Sequence, residues 1–151
     1  RFPRQARGQV EVATGDGRLL LEQEPDESFD IFVVDAFSGD AIPVHLITIE
    51  AIRGYFRKLK PGGVLALHLS NAYLDLTRVA AAAARQMEKE GRLATTSTDR
   101  ARHRHSSTWV VLGGEACTGW SKIDGATEPL PAPGAFRVWT DDYSNLLTVL
   151  K

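Results

Sequence analysis

Acidic and polar side chains follow three apolar runs of this sequence, at the point where each run ends. Asp16 follows "QVEVAT", Asp35 follows "FDIFVV", and Ser70 and Asn71 follow "VLALHL". If the runs are parallel strands of an open α/β sheet, these side chains meet at the sheet edge where ligands bind. Their oxygens could then contact a polar or cationic ligand. The alternative is that each aspartate forms a turn or caps a helix.

Other residues that could bind a ligand or take part in catalysis occur in less specific patterns. The basic stretch "RARHRH" at 100–105 has two histidines that could bind a metal, but no third ligand has suitable spacing, so we expect a solvated loop and no metal. His45 and His68 are interpreted as ordinary polar residues at the crevice edge rather than as catalytic bases. Asp141 and Asp142 precede "YSNLLTVL", where they could line a site or cap a helix.

The composition is that of an ordinary globular domain. The chain has 151 residues, of which 43% are apolar and 25% charged, and a net charge of −1 gives no support for a nucleic-acid partner. The single cysteine, Cys117, fits a reducing compartment, so we predict a cytoplasmic location. No run approaches the roughly 20 apolar residues of a membrane span. The chain opens with "RFPRQARGQ" and no Met, which suggests the interior of a longer protein.

Strand and helix patterns alternate along the chain. "QVEVATGDG", "FDIFVVDAF", "VLALHLSN", "LATTSTD" and "STWVVLGG" are predicted strands, the second one buried on both faces. Between them, a helix is predicted from Thr48 to Lys60, because apolar residues recur at the spacing of one helical face: Ile52, Tyr55, Phe56 and Leu59. A second helix is predicted in the Ala-rich stretch before Gly91, and residues 117–135 are predicted to be irregular. This alternation indicates an open, mostly parallel α/β sheet.

Four blocks of the sequence resemble the spermidine synthase-like aminopropyltransferases, which are relatives of the class I AdoMet-dependent methyltransferases. The blocks are "VATGDGRLLLE", "FDIFVVDAFSGDAIPVHLIT", "LKPGGVLALHLSN" and "WTDDYSNLL". The resemblance is strongest to bacterial members, some of which are fused to membrane-transporter segments. It implies a Rossmann-like sheet, a polyamine acceptor, and decarboxylated AdoMet or AdoMet as co-substrate. A membrane partner is expected only if the parent protein carries such segments.

The resemblance also assigns roles to two aspartates. Asp16, in the turn formed with Gly15 and Gly17, corresponds to the aspartate that contacts the adenine amino group of the nucleoside. Asp35 corresponds to the base that helps to deprotonate the attacking amine. Such a base is needed because an ammonium group has no lone pair and cannot attack the carbon beside a sulfonium.

The expected amine-binding side departs from the family pattern. Ser38 stands where the family has a second acidic residue, and Asp40 could supply that charge from a shifted position. We expect four further residues to line the substrate site: Asn71, Asp141, Asp142 and Tyr143. The departure at Ser38 leaves the identity of the acceptor amine open.

Part of the family's domain has no counterpart in these residues. The family's first two strands, its glycine-rich loop, its N-terminal β-domain and its catalytic tyrosine are not found in residues 1–151. We therefore expect a single partial domain, the C-terminal part of a Rossmann-like catalytic domain, whose sheet edges lie open. Either a partner chain or a homo-oligomer would complete the sheet, or the first segment would be rearranged.

Two classes of function remain after this comparison. The first is transfer of an aminopropyl group from decarboxylated AdoMet to an amine such as putrescine, with AdoMet-dependent methyl transfer as its nearest alternative. The second is a non-catalytic fragment that keeps only the fold. We expect the isolated chain to be inactive, because the nucleoside loop of the family is absent from it.

Overall fold

The described part of the chain forms one five-stranded open sheet with helices. The computed structural model describes residues 8–36, 43–101, 103, 105–114, 117 and 120–151. The strands are β1 (Phe29–Val34), β2 (Leu59–His68), β3 (Glu90–Thr96), β4 (Ser107–Gly113) and β5 (Glu128–Pro129), in the sheet order β1-β2-β4-β3-β5. The helices are α1 (Gly17–Gln23), α2 (Ile49–Lys58), α3 (Thr77–Gln86) and α4 (Trp120–Ile123). The predicted open α/β fold is confirmed.

The strand directions differ from the prediction of a mostly parallel sheet. Strands β1 and β2 are parallel, whereas β2–β4, β3–β4 and β3–β5 are antiparallel. The reason lies in the connection between β3 and β4, residues 97–106, whose described residues form no helix. A parallel crossover usually needs a helix to return the chain, so this connection makes a hairpin instead. Apolar patterning does not encode strand direction.

One face of the sheet carries the hydrophobic core. Side chains on this face are buried and pack with those of α2 and α3; they include Phe32, Val34, Leu65, Leu67, Val110 and Leu112. The Phe32 ring stacks on Tyr55 of α2 with 4.9 Å between ring centroids. On the opposite face Ile31 and Val33 are 63% and 53% exposed. The prediction that "FDIFVV" is buried on both faces is therefore wrong, because only one face of β1 is covered by helices in the described chain.

The outer edge of β1 has no strand beside it among the described residues. The stretch "QVEV", which is predicted as a strand, forms an irregular and exposed segment in the structure, where Val12 is 77% exposed. An extended segment needs a neighbour to receive its backbone hydrogen bonds, and none is available in the described structure. Among the described residues, the outer edge of β1 therefore has no strand to pair with its backbone groups.

Strand β2 begins earlier than predicted, directly after helix α2. The helix ends at Lys58, and β2 includes "KPGG" before the predicted start at Val64. The register against β1 shifts here: Phe29 pairs with Leu59 but Ile31 pairs with Val64. A Cβ atom at Gly63 would lie 3.0 Å from the backbone oxygen of Asp30. Glycine is thus needed where the irregular start of β2 passes close to β1.

The region after β4 contains short elements. Helix α4, a 3₁₀ turn at Asp124–Ala126 and β5 lie within the segment predicted to be irregular. The C-terminal stretch returns to the core, where Trp139 is fully buried and its carbonyl oxygen accepts the backbone N–H of Ile49 at 2.9 Å. It ends in a 3₁₀ turn at Leu146–Val149. No helix in the described ranges has the length and apolarity required to cross a membrane.

Candidate active site

Asp35 and His68 meet at the carboxyl ends of the two parallel strands. Asp35 directly follows β1, and His68 is the last residue of β2. Because Val34 pairs with Leu67, the two following side chains are brought side by side. The Nδ1 atom of His68 lies 2.6 Å from the Oδ1 atom of Asp35. The parallel register therefore builds a hydrogen-bonded carboxylate–imidazole pair at the edge of the sheet.

The imidazole of His68 is held on its other side as well. Its Nε2 atom lies 2.6 Å from the hydroxyl oxygen of Ser70, and that oxygen accepts the backbone N–H of Thr108 at 2.8 Å. The ring stacks on Trp109, with 4.5 Å between centroids and an angle of 13° between planes. We call Asp35, His68 and Ser70 the Asp35 relay. Two strands, β2 and β4, thus fix the orientation of the imidazole.

The carboxylate of Asp35 is accessible although one of its oxygens is bonded. Its side chain is 56% exposed, whereas that of His68 is 24% exposed. Within the described part of the chain, its Oδ2 atom has no hydrogen-bond donor. A carboxylate with one fixed and one free oxygen can accept a proton or bind a cation at the free oxygen.

A second carboxylate, Asp141, is bonded through both oxygens. Arg18 donates to its Oδ1 and Oδ2 atoms at 2.8 and 3.0 Å, and the hydroxyl of Thr48 donates to Oδ1 at 2.7 Å. The Arg18 hydrogen bond, followed by that of Thr48, lowers the pKa of Asp141. Arg18 lies on α1, and Thr48 caps α2. We call these three residues the Arg18 latch, because they join two helices to the C-terminal segment.

Asp16 caps helix α1 through one of its two carboxylate oxygens. Its Oδ1 atom accepts the backbone N–H groups of Arg18 and Leu19 at 2.9 and 3.1 Å. The bond from Leu19 is the main cause that lowers the pKa of Asp16. Its Oδ2 atom lies 4.0 Å from Nε2 of His45 and remains able to accept an amino N–H. The turn before it has Gly15 at φ +149°, which a side chain would strain, and Gly17 begins the helix.

Asn71 forms a turn beside the Asp35 relay. Its Oδ1 atom accepts the backbone N–H groups of Tyr73 and Leu74, both at 2.9 Å, and its backbone oxygen accepts Nζ of Lys151 at 2.6 Å. A cavity of 290 Å³ opens here, lined by Ser70, Asn71, Ala72, Ser106, Ser107, Thr108 and Lys151. The relay therefore has a polar cavity next to its serine.

The remaining predicted site residues are spread more widely. The ring of Tyr143 lies 3.8 Å from the guanidinium carbon of Arg137. Asp142 is exposed and has no hydrogen bond or ion pair within the described chain. Ser38 and Asp40 lie outside the described residues.

The site residues fall into two groups. Asp35 comes together with His68, Ser70 and the neighbouring Asn71, while Asp16 and Asp141 both contact Arg18. In the described residues no hydrogen bond or ion pair joins these groups. A larger cavity of 460 Å³ lies between α1 and α2, and no member of the Asp35 relay lines it. We find no cluster of three or more metal-binding side chains in the described ranges.

Sequence reasoning underestimated His68 and Ser70. His68 was expected to be an ordinary polar residue at the crevice edge, yet it bonds to the candidate base. A signal was present: residues two apart in extended chain point to the same side, so "HLS" places the imidazole and hydroxyl together. The bond to Asp35 could not be foreseen, because it depends on the pairing of β1 with β2.

Comparison with known proteins supports the fold. No family model and no curated protein matches the chain. Among solved structures, the crystal structure of a probable spermidine synthase from Corynebacterium glutamicum ATCC 13032 matches with a TM-score of 0.63 at 19% identity. The match covers 91% of this chain but 56% of the other, so the chain spans little more than half the length of that protein. The chain therefore shares an open α/β fold with this probable spermidine synthase.

Proposed function

We propose that the protein is a spermidine synthase-like transferase, which moves an aminopropyl group from decarboxylated AdoMet to an amine such as putrescine. The observation that carries the proposal is the Asp35 carboxylate at the carboxyl end of β1, whose side chain is 56% exposed and whose Oδ1 atom is bonded to His68, while Oδ2 has no donor among the described residues. The fold shared with a probable spermidine synthase and the resemblance of the sequence blocks support the same conclusion.

In this proposal Asp35 prepares the acceptor amine for attack. The charged amine approaches the free Oδ2 atom, where the carboxylate first attracts the cation and then accepts one of its protons. The nitrogen lone pair released in this way is the nucleophile. The donor, when bound, supplies the electrophilic carbon beside its sulfonium. The fixed Oδ1 atom keeps the carboxylate from rotating while the proton moves.

The nucleoside side of the site rests on Asp16. Its ionised carboxylate has an oxygen free of hydrogen bonds, as an acceptor for an adenine amino group requires. Gly15 and Gly17 shape the turn that presents this oxygen. The residues therefore fit the role that the family resemblance assigns to them.

The carboxylates expected to bind the amine substrate differ in whether their oxygens already accept hydrogen bonds. Asp142 is exposed and unpaired within the described chain, so it suits a cationic substrate better than Asp141, whose oxygens are occupied by Arg18 and Thr48. We also propose that four further residues bind the amine substrate: Tyr143, Asn71, Ser38 and Asp40. The bonded Oδ1 of Asn71 leaves its amide N–H₂ group as the contact it could offer.

A partner that completes the sheet is part of the proposal. The outer edge of β1 is unpaired in the described residues, and Ile31 and Val33 are exposed beside it. A second copy, or further chain carrying the missing strands, would cover these groups. We propose a cytoplasmic protein whose isolated 151 residues are inactive without that completion.

The test is an activity assay on the full-length protein. Incubation with decarboxylated AdoMet and putrescine should yield spermidine and methylthioadenosine, detected by mass spectrometry. Asp35→Asn should lower kcat by about 10²- to 10⁴-fold, the range expected for a lost general base. Asp30→Asn is the matched control, since Asp30 is exposed on the same strand and pairs with Lys60 at 2.8 Å, away from the relay. Its kcat should stay at the wild-type value.

Other outcomes would redirect the proposal. Transfer of a methyl group from AdoMet, without aminopropyl transfer, would identify the protein as a methyltransferase. Calorimetric titration showing no binding of methylthioadenosine, AdoMet or spermidine would leave a non-catalytic protein that keeps the fold.

A further inference from the structure

The proton positions in the Asp35 relay follow from its hydrogen bonds. The Ser70 oxygen accepts the N–H of Thr108 at 2.8 Å with one lone pair, and its own proton can be donated to Nε2 of His68, 2.6 Å away. A neutral imidazole that accepts at Nε2 carries its proton at Nδ1, where Asp35 lies at 2.6 Å. In that arrangement every donor from Thr108 to Asp35 points towards the carboxylate.

We infer that His68 is a positioning residue for Asp35 and that Ser70 fixes the tautomer in which it can act. The catalytic consequence rests on the proposed function, in which Asp35 is the base. An exposed aspartate rotates freely unless a partner restrains it, and misplacement of a base by about 1 Å can cost about 10²-fold in rate. The Nδ1–H group holds Oδ1 of Asp35 and leaves Oδ2 for the amine.

Packing around the imidazole supports a positioning role. The His68 ring stacks on Trp109 and its side chain is 24% exposed, whereas the carboxylate that it holds is 56% exposed. The imidazole is thus anchored on β2 and β4, whereas the aspartate that it contacts lies in the loop after β1. The sheet therefore holds the imidazole of His68, and the imidazole in turn holds the Asp35 carboxylate in the loop.

The same three residue types occur in serine hydrolases, with serine as the nucleophile. In this structure a backbone N–H, from Thr108, is directed at the Ser70 oxygen itself. That hydrogen bond withdraws electron density from the oxygen and occupies one of its lone pairs. Ser70 is therefore suited to orient the imidazole and poorly suited to attack a carbonyl carbon.

The first experiment determines the tautomer of His68 by nitrogen-15 NMR at about pH 8, above the ordinary imidazole range. The wild-type protein should show the proton on Nδ1, and Ser70→Ala should shift the population towards Nε2–H. Ser106→Ala is the control, because Ser106 lines the same cavity but does not contact His68, and it should leave the tautomer unchanged. A wild-type protein with the proton on Nε2 would overturn the inference. Since no turnover is needed, this result is independent of the proposed function.

The second experiment compares His68→Asn with His68→Gln in the full-length enzyme. Both substitutions remove the ring stacked on Trp109, but the Asn amide can place its N–H₂ group near the position of Nδ1, while the Gln amide places it near Nε2. We expect His68→Gln to lower kcat by about 10- to 100-fold with little change in KM for the donor, and His68→Asn to recover most of that loss. Thermal melting checks that both variants are folded.

Two results, one from this comparison and one from a separate labelling experiment, would contradict a positioning role. Equal losses in the Asn and Gln variants would show that only the packing of the ring matters. Covalent labelling of Ser70 by a fluorophosphonate probe would show that the serine is a nucleophile.

Discussion

Asp35 and Asp141 are both aspartates in loops, but their carboxylates have different hydrogen-bond partners. Asp141 is held by Arg18 through both oxygens and by Thr48, which is itself 1% exposed. Among the described residues, Asp35 has one hydrogen bond, to His68, and its other oxygen has no donor. A carboxylate whose acceptors are all occupied stabilises the fold, whereas one with a free, oriented acceptor can take part in chemistry. Asp35 and Asp141 therefore differ in the number of hydrogen-bond donors that contact the carboxylate.

The largest effect on stability is expected from Asp141→Ala. The substitution leaves the Thr48 hydroxyl buried without its acceptor and Arg18 without its carboxylate, so the free energy of unfolding should fall by about 2–3 kcal/mol. Urea denaturation measures the change. Asp142→Ala, which alters an exposed neighbour without a partner in the described chain, should change stability by less than about 0.5 kcal/mol. Equal effects of the two variants would refute the latch.

Thr48→Val tests the latch from its buried side. Valine keeps the branched shape but cannot donate to Asp141, and it also removes the cap acceptor of the Ala51 N–H at 3.4 Å. We expect a loss of about 1–2 kcal/mol, as for other N-cap residues. The double variant with Asp141→Ala should lose less than the sum of the single losses, because the two residues share one hydrogen bond. Full additivity would argue against that bond.

The latch should also make stability depend on pH in acid. The hydrogen bond from Arg18 lowers the pKa of Asp141 below its ordinary value of 3.8, so the folded protein holds this carboxylate ionised at a pH where the unfolded chain protonates it. The stabilisation is present above the ordinary value and is lost as the pH falls through the lowered pKa. Thermal melts from about pH 7 to about pH 3 should show the gap between wild type and Asp141→Asn closing in acid. A constant gap would contradict the assignment.

The smallest effect on stability is expected from Asp35→Asn. The side chain is 56% exposed and its bond to His68 lies at the surface, so the free energy of unfolding should change by less than about 0.5 kcal/mol. Urea denaturation of the same sample used for the activity assay checks this. A large loss of stability would place Asp35 with Asp141 as a structural residue and remove the contrast between them.

Some elements could be predicted from the sequence with good accuracy. Helix α2 follows from the spacing of Ile52 and Tyr55, which are 0% and 3% exposed in the structure. Its capping residue, Thr48, lies at the predicted start. These features depend on residues within a few positions of one another, and local sequence contains that information.

Other predictions failed because they depend on neighbours distant in sequence. The apolar letters of "FDIFVV" are the same whether helices cover both faces of a strand or only one, so the exposure of Ile31 and Val33 was not visible in them. In the same way, the extended pattern of "QVEV" forms no strand in the described structure because nothing pairs with it.

The sequence by itself determined that an acidic side chain, Asp35, follows an apolar strand, and that a helix begins after Thr48. Only the tertiary structure decided which carboxylate oxygens accept hydrogen bonds from other side chains. Pairing of β1 with β2 places His68 against Asp35 across 33 residues, and the return of the C-terminal segment places Arg18 against Asp141 across 123 residues. Hydrogen bonds act over about 3 Å. Their partners are therefore set by strand register and packing, which no local pattern specifies.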